Sequence, residues 1–231
     1  MFYLPNMQKL WLSFLLISCF YNASAQKIKT FKQNCGIYYS SIKDVYDFKG
    51  KEINFYNFKP GNVVGSIGAQ CTHWEAAFAA VTDSVQFYLQ DIDTTYCNTK
   101  QASFAWNYYE GIRAKPMTST FKIIMGNEQG TNLPDSLFDK ILIINSFHEF
   151  IHKPQMLADI AKKLKRDGIL YIEEAVAKKS GDLHGVCNAV IFLPEELIAL
   201  LKDNGYAYVN DVTTKTRKGR PLVKVYSFKK T

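Results

Sequence analysis

Cysteine, histidine and long apolar runs are all scarce in this 231-residue chain, which has five Cys, four His and no CxxC pair. Without CxxC, a cysteine-cage zinc site is not expected. The wide, irregular spacing of Cys35, Cys71, Cys97 and Cys187 also differs from the dense framework of a small disulfide-stapled domain. With 13 Gly, 7 Pro, 47% apolar and 21% charged residues, the composition excludes collagenous, disordered and coiled-coil classes. Residues 10–20 form the longest apolar run, short of the roughly 20 residues a membrane-spanning helix needs. No transmembrane segment is therefore expected in the mature chain.

Aromatic residues are abundant, with 14 Tyr, 16 Phe and 3 Trp. They supply ample core material for a chain of this size, which buries roughly 70% of its unfolded surface. Lys9, the apolar run and then Ala23-Ser24-Ala25 read as a signal peptide over residues 1–25, which predicts an exported, periplasmic or secreted protein. The stretch Leu16-Ile17-Ser18-Cys19 offers the alternative of a lipoprotein anchored through Cys19. After cleavage at Ala25 the formal charge falls from +7 to +6, and four cysteines remain that permit three disulfide pairings. The basic clusters Lys162, Lys163, Lys165, Arg166 and Lys215, Arg217, Lys218, Arg220 read as solvated faces and a hairpin tip, so no nucleic-acid partner is expected.

Residues 26–60 show no sustained period and read as a leader that packs on the core. From residue 61 to 231, short apolar runs alternate with amphipathic stretches, the pattern of βαβ units and a doubly wound α/β sheet. Seven strands are predicted at residues 62–66, 85–89, 121–125, 139–145, 168–173, 206–212 and 222–228. A helix is expected behind Pro154 and another behind Pro194, closed by Gly205, with a third over residues 95–109. The last two strands are joined by a stretch too short for a crossover helix, so the last strand should be antiparallel in an otherwise parallel sheet.

Ligands of such sheets bind beyond the carboxyl ends of the strands, near the switch in strand order. Four segments fall there: residues 65–72, 90–93, 125–128 and 145–149. A glycine such as Gly68 lets the backbone approach a ligand, with Ser66 and Ala69 beside it. Asp91, next to Ile92, is placed to accept hydrogen bonds from vicinal ribose hydroxyls. Asn127 or Glu128 can bond the edge of a base, and Asn145 ends the fourth strand. A nucleoside-containing small molecule fits this set.

Over residues 60–228 the chain resembles the class I S-adenosylmethionine-dependent methyltransferases. The phrase Lys59-Pro60-Gly61-Asn62-Val63-Val64-Gly65-Ser66-Ile67-Gly68-Ala69 is similar to that family's first strand and glycine loop. Residues 138–145 and 164–172 are similar to its fourth and fifth strands. The resemblance implies a Rossmann-like seven-stranded sheet and S-adenosyl-L-methionine as cofactor. It also implies a pocket at Ser66, Gly68, Ala69, Asp91, Ile92, Asn127, Glu128 and Asn145, and methyl transfer to an acceptor that the sequence does not identify. Where the family has an acidic residue and alternate glycines, this chain has Ser66, Gly68, Gln70 and Thr72. The Gln70 and Thr72 side chains must then turn away from the cofactor, and Ser66 brings no charge. A degenerate descendant, or an exported nucleoside-binding domain of the same fold without catalysis, is the alternative reading.

A third reading comes from His148-Glu149-Phe150-Ile151-His152, which matches the HExxH pattern of zinc hydrolases. That pattern requires one continuous helix, whereas a buried strand precedes it and Pro154 disfavours helix at Lys153. No metal ligands are therefore assigned. His148 and Glu149 are kept as candidate acid/base groups on the rim of the cleft. Glu173 and Glu174 read as a solvated strand end, His73 beside Trp74 as a packed or capping residue. His184 and Cys187 fall in a Gly-bounded loop able to cover a substrate.

Overall fold

The computed structural model describes residues 30–33, 35–214 and 222–231. The expected signal peptide at 1–25 and the basic tip at Lys215, Arg217, Lys218 and Arg220 lie outside the described residues. Strands β1 (Thr30–Gln33) and β2 (Gly36–Tyr39) form an antiparallel hairpin, followed by helix α1 (Ile42–Tyr56). The Ser41 side chain accepts the Asp44 N–H at the start of α1, and Asn57 ends it in a left-handed conformation. Its buried face carries Asp44, Lys49 and Glu52 alongside Val45, Ile53 and Tyr56. Polar residues on an inward face break the apolar stripe, which is why no helical period was readable here.

The main sheet has strands β3 (Val63–Ile67), β4 (Gln86–Asp91), β5 (Thr120–Met125), β6 (Phe138–Ile144), β7 (Leu164–Ala175), β8 (Tyr206–Thr213) and β9 (Val223–Lys230). Their order is β5-β4-β3-β6-β7-β9-β8, with β9 antiparallel to both neighbours and the β5-to-β7 pairings parallel. This is the seven-stranded Rossmann-like sheet with a reversed last strand that the sequence predicts. Helices α2 (His73–Ala80), α3 (Thr99–Arg113), α4 (Lys153–Lys163) and α5 (Pro194–Asp203) cover it. Helix α3 begins at Thr99 rather than residue 95, because residues 94–98 form a turn and the Asn98 side chain caps Gln101 N–H at 2.9 Å.

Side chains alternate across the strands. Phe87, Leu89 and Leu142 pack with Tyr56, Phe78 and Trp106 on one face, while Tyr88, Ile141 and Ile143 pack with Leu157, Ile160 and Leu201 on the other. Strands buried on both faces read as continuous apolar runs, which made β3 and β6 easy to find.

Two long-range ties fasten the N-terminal segment over the carboxyl end of this sheet. Cys35 and Cys71 form a disulfide spanning 36 residues, which joins the hairpin to the loop after β3. Beside it, Gly36 lies so close to the His73 ring that a Cβ would stand 2.7 Å from it. The second tie is buried: Lys49 Nζ lies 2.8 Å from Glu173 Oε1 and 3.0 Å from Glu52 Oε1, and Tyr56 donates its hydroxyl to Glu173 Oε2 at 2.9 Å. Burial pushes the Lys49 ammonium towards neutrality, but the two carboxylates outweigh it and hold its pKa above the usual lysine value. Glu173 is thus an anchor inside the protein, as Glu174 is also buried; neither is the solvated strand end expected from sequence.

Closing a loop of this length by a disulfide stabilises a domain by about 2–4 kcal/mol. Replacing Cys35 and Cys71 together by Ser should lower unfolding free energy by that amount in urea titration, while Cys97→Ser, a thiol outside the crosslink, should leave the gap between the two proteins intact.

Candidate functional site

A cleft of about 530 Å³ opens at the carboxyl ends of β3, β4 and β6, where the strand order reverses. Of the residues singled out from sequence, Gly68, Ala69, Asp91, Ile92, Asn127, Glu128, Asn145 and Glu149 all line it. Ser66 does not. It is buried beneath the loop, where its hydroxyl donates to Glu75 Oε1 at 2.5 Å. Ser66 is therefore corrected from a cofactor contact to a support for Glu75.

The loop leaving β3 is held on three sides. The N–H groups of Gly68 and Ala69 donate to the Gln90 carbonyl at 2.9 and 3.0 Å. Ser146 Oγ donates to the Ile67 carbonyl, and a Cβ on residue 68 would stand 2.5 Å from that oxygen. Only glycine fits there, and its φ of +73° is one that side chains disfavour. Gln70 and Thr72 also turn left-handed, with φ of 39° and 55°. The loop thus alternates left-handed residues at 68, 70 and 72, at a cost of about 1–2 kcal/mol for each non-glycine residue. The Gln70 side chain is exposed and the Thr72 side chain buried.

Asp91 holds this loop from the next strand. Its Oδ2 accepts the Gln70 N–H at 2.8 Å, and its Oδ1 accepts the N–H groups of Ile92 and Asp93 at 2.7 and 3.0 Å. A carboxylate has roughly four acceptor positions, so one remains for a ligand hydroxyl rather than the pair expected from sequence. Asn127 Oδ1 accepts the N–H groups of Gln129 and Gly130, an Asx turn that leaves its amide N–H₂ available. Asn145 sits left-handed at φ 52° and donates its N–H to the Glu173 carbonyl.

Glu75, on the first turn of α2, was not found from sequence, although it is the acidic residue in the otherwise apolar run His73-Trp74-Glu75-Ala76-Ala77-Phe78. It lines the cleft while remaining almost fully buried. Burial raises its pKa to about 7, against the lowering effect of the Ser66 hydrogen bond, with Asp91 adding to the rise and Lys49 opposing it. A buried carboxyl group thus stands against Ser66, carried by the neighbouring helix. Burial and the nearby Lys49 lower the pKa of His73 to about 3, so its ring is neutral, a packed residue.

Residues 147–149 form a single 3-10 turn, Phe150 is extended, and α4 begins only at Lys153. His148 and His152 therefore do not share a helix, and the zinc-hydrolase geometry is absent. His148 is buried, with Nδ1 2.7 Å from Glu174 Oε2, while Glu149 is the exposed neighbour facing the cleft.

No family model matches the sequence, and no curated protein matches it. Solved structures match the fold. A SAM-dependent methyltransferase from Aquifex aeolicus superposes with a TM-score of 0.58 at 17% identity, covering 81% of this chain and 96% of its own. One from Geobacter sulfurreducens, in complex with S-adenosyl-L-homocysteine, gives 0.58 at 12% identity, covering 79% and 90%. The cyclase SpnF gives 0.59 at 14%, covering 78% and 80%. The chain has the class I S-adenosylmethionine-dependent methyltransferase fold.

Because the folded Glu75 binds its proton more tightly than an unfolded glutamate, it opposes folding as pH rises from about 4.5 to about 7, by about 3 kcal/mol over that interval. Urea unfolding at pH 5 and pH 8 should show a loss that is smaller in Glu75→Gln, whose amide oxygen still accepts the Ser66 hydroxyl; the buried Glu52, also raised, accounts for what remains.

Proposed function

We propose that the protein binds S-adenosyl-L-methionine in this cleft and transfers its methyl group to a small acceptor. One observation carries the reading: Gly68, Asp91 and Asn127, from three consecutive strand ends, face one cavity of the size that holds a small-molecule ligand. In this reading Gly68 and Ala69 let the backbone lie against the cofactor, and the free acceptor position of Asp91 takes a ribose hydroxyl. The Asn127 amide meets the adenine edge, with Ile92 against the ring. Glu75, whose carboxyl titrates near neutral pH, faces the amino-acid end from the first turn of α2.

Methyl transfer from a sulfonium needs chiefly proximity and alignment of the acceptor with the methyl carbon, so a dedicated base is not essential. The chain's contribution is to bind, orient and exclude water. Glu149, on the open side, is the group placed to receive an acceptor proton. The cyclase SpnF has a similar fold, so the reaction follows from the cleft's side chains and not from the architecture.

Export is part of the proposal. It rests on the leader-like residues 1–25 and is supported by the Cys35–Cys71 disulfide, a bond favoured by oxidising compartments.

Calorimetric titration of the purified protein with S-adenosylmethionine and S-adenosylhomocysteine tests the reading. Micromolar binding of both is expected, weakened about tenfold or more in Asp91→Ala. The absence of binding at millimolar ligand would overturn it.

A further inference from the structure

The loop between β7 and α5 brings a third set of chemistry to the cleft wall. His184 and Cys187 stand on it, with His184 Nδ1 3.1 Å from Cys187 Sγ, and the His184 ring lies 4.5 Å from that of His148. One ligand atom from each of His148, His184 and Cys187 falls within 4.8 Å of the others. From this we infer that the three residues form a binding site for a thiophilic divalent cation of the zinc class, distinct from the HExxH pattern, which would use His152.

The argument rests first on His148. Its side chain is wholly buried, yet its Nε2 has no hydrogen-bond partner. Glu174, itself buried, accepts from the ring at Nδ1 and from the His148 backbone N–H at 3.3 Å. With Nδ1 bonded to Glu174, Nε2 is the ring atom left to meet His184 and Cys187. A buried lone pair without a donor is costly, and a cation is the partner that satisfies it. A carboxylate orienting a histidine through its other nitrogen is also how proteins fix the tautomer of a metal ligand.

The donor set points to the class of ion. Two imidazoles and a thiolate are borderline to soft ligands that select zinc over magnesium or calcium. Zinc–nitrogen and zinc–sulfur bonds of about 2.0 and 2.3 Å place tetrahedral ligand atoms about 3.3–3.6 Å apart. The most widely separated atoms must therefore approach by up to about 1.5 Å, a small movement for a loop whose residues are mostly exposed. Three protein ligands leave a fourth position. It faces the cleft, which His184 and Val186 line, and Glu149 Oε1 lies 3.8 Å from the His148 Nε2. A bound ion would pin this loop against the cleft and set a Lewis-acidic position on its wall.

The test uses the purified protein, stripped of metal and with its disulfide intact, titrated with Co²⁺ and, in competition with a chromophoric chelator, with Zn²⁺. One equivalent should bind, and the cobalt form should show a thiolate charge-transfer band. Cys187→Ser should abolish the band, and His184→Gln and His148→Gln should each weaken binding about tenfold or more. Glu174→Gln should weaken it about 10–100-fold. His152→Gln should change nothing. His184 and Cys187 are on a surface loop, so their variants decide the matter even if the buried His148 variant fails to fold. Failure to bind either ion at micromolar concentration, or binding unchanged in Cys187→Ser and His184→Gln, would overturn the inference. Neither readout depends on cofactor binding.

Discussion

The backbone between Ile67 and His73 turns left-handed at residues 68, 70 and 72 as the chain leaves β3 and enters α2, and only the first of these is glycine. The surrounding contacts are arranged to hold that turn. The Gln90 carbonyl fixes the amides of Gly68 and Ala69, Asp91 fixes the amide of Gln70, and Cys71 is bonded to Cys35. Strain spread over a loop persists only where its surroundings over-determine it, and here β4 and the N-terminal hairpin do so between them. The cleft is a consequence of this restraint.

Much of the fold was legible because parallel strands buried on both faces and helices opened by Pro154 and Pro194 leave local signatures. Asp91 and Gly68 could be placed for the same reason, as each ends a readable strand. Glu75 was hidden because its place in the cleft is set in three dimensions, where helix α2 brings its carboxyl against Ser66 of β3. Glu174 was misjudged because strand-end carboxylates usually face water, and nothing local reveals a histidine waiting 26 residues away. The N-terminal helix was unreadable because Lys49 and Glu52 occupy its inward face, matched by Glu173 across the fold.

That buried Lys49 network has a structural logic of its own. It links α1 to the end of β7 next to Asn145, whose N–H donates to the Glu173 carbonyl, so the N-terminal segment bears on the cleft through both the glycine-loop disulfide and the β7 anchor. Buried ion pairs gain little net stability over apolar packing, but breaking one strands a charge. Such a tie therefore fixes where α1 sits more than it strengthens the fold. Glu173 and Glu174, adjacent on one strand, serve opposite sides: one holds α1, the other orients His148.

The restrained loop has a direct signature in amide chemical shifts recorded on the protein before and after addition of S-adenosylhomocysteine. Large changes confined to Gly68 through Cys71, Asp91 through Asp93, Asn127, Glu128 and Asn145, with the rest of the spectrum unmoved, are the expected outcome for a preformed cleft. Unchanged spectra at saturating ligand, or changes clustered away from these residues, would contradict the view that the altered glycine loop still forms a cofactor site.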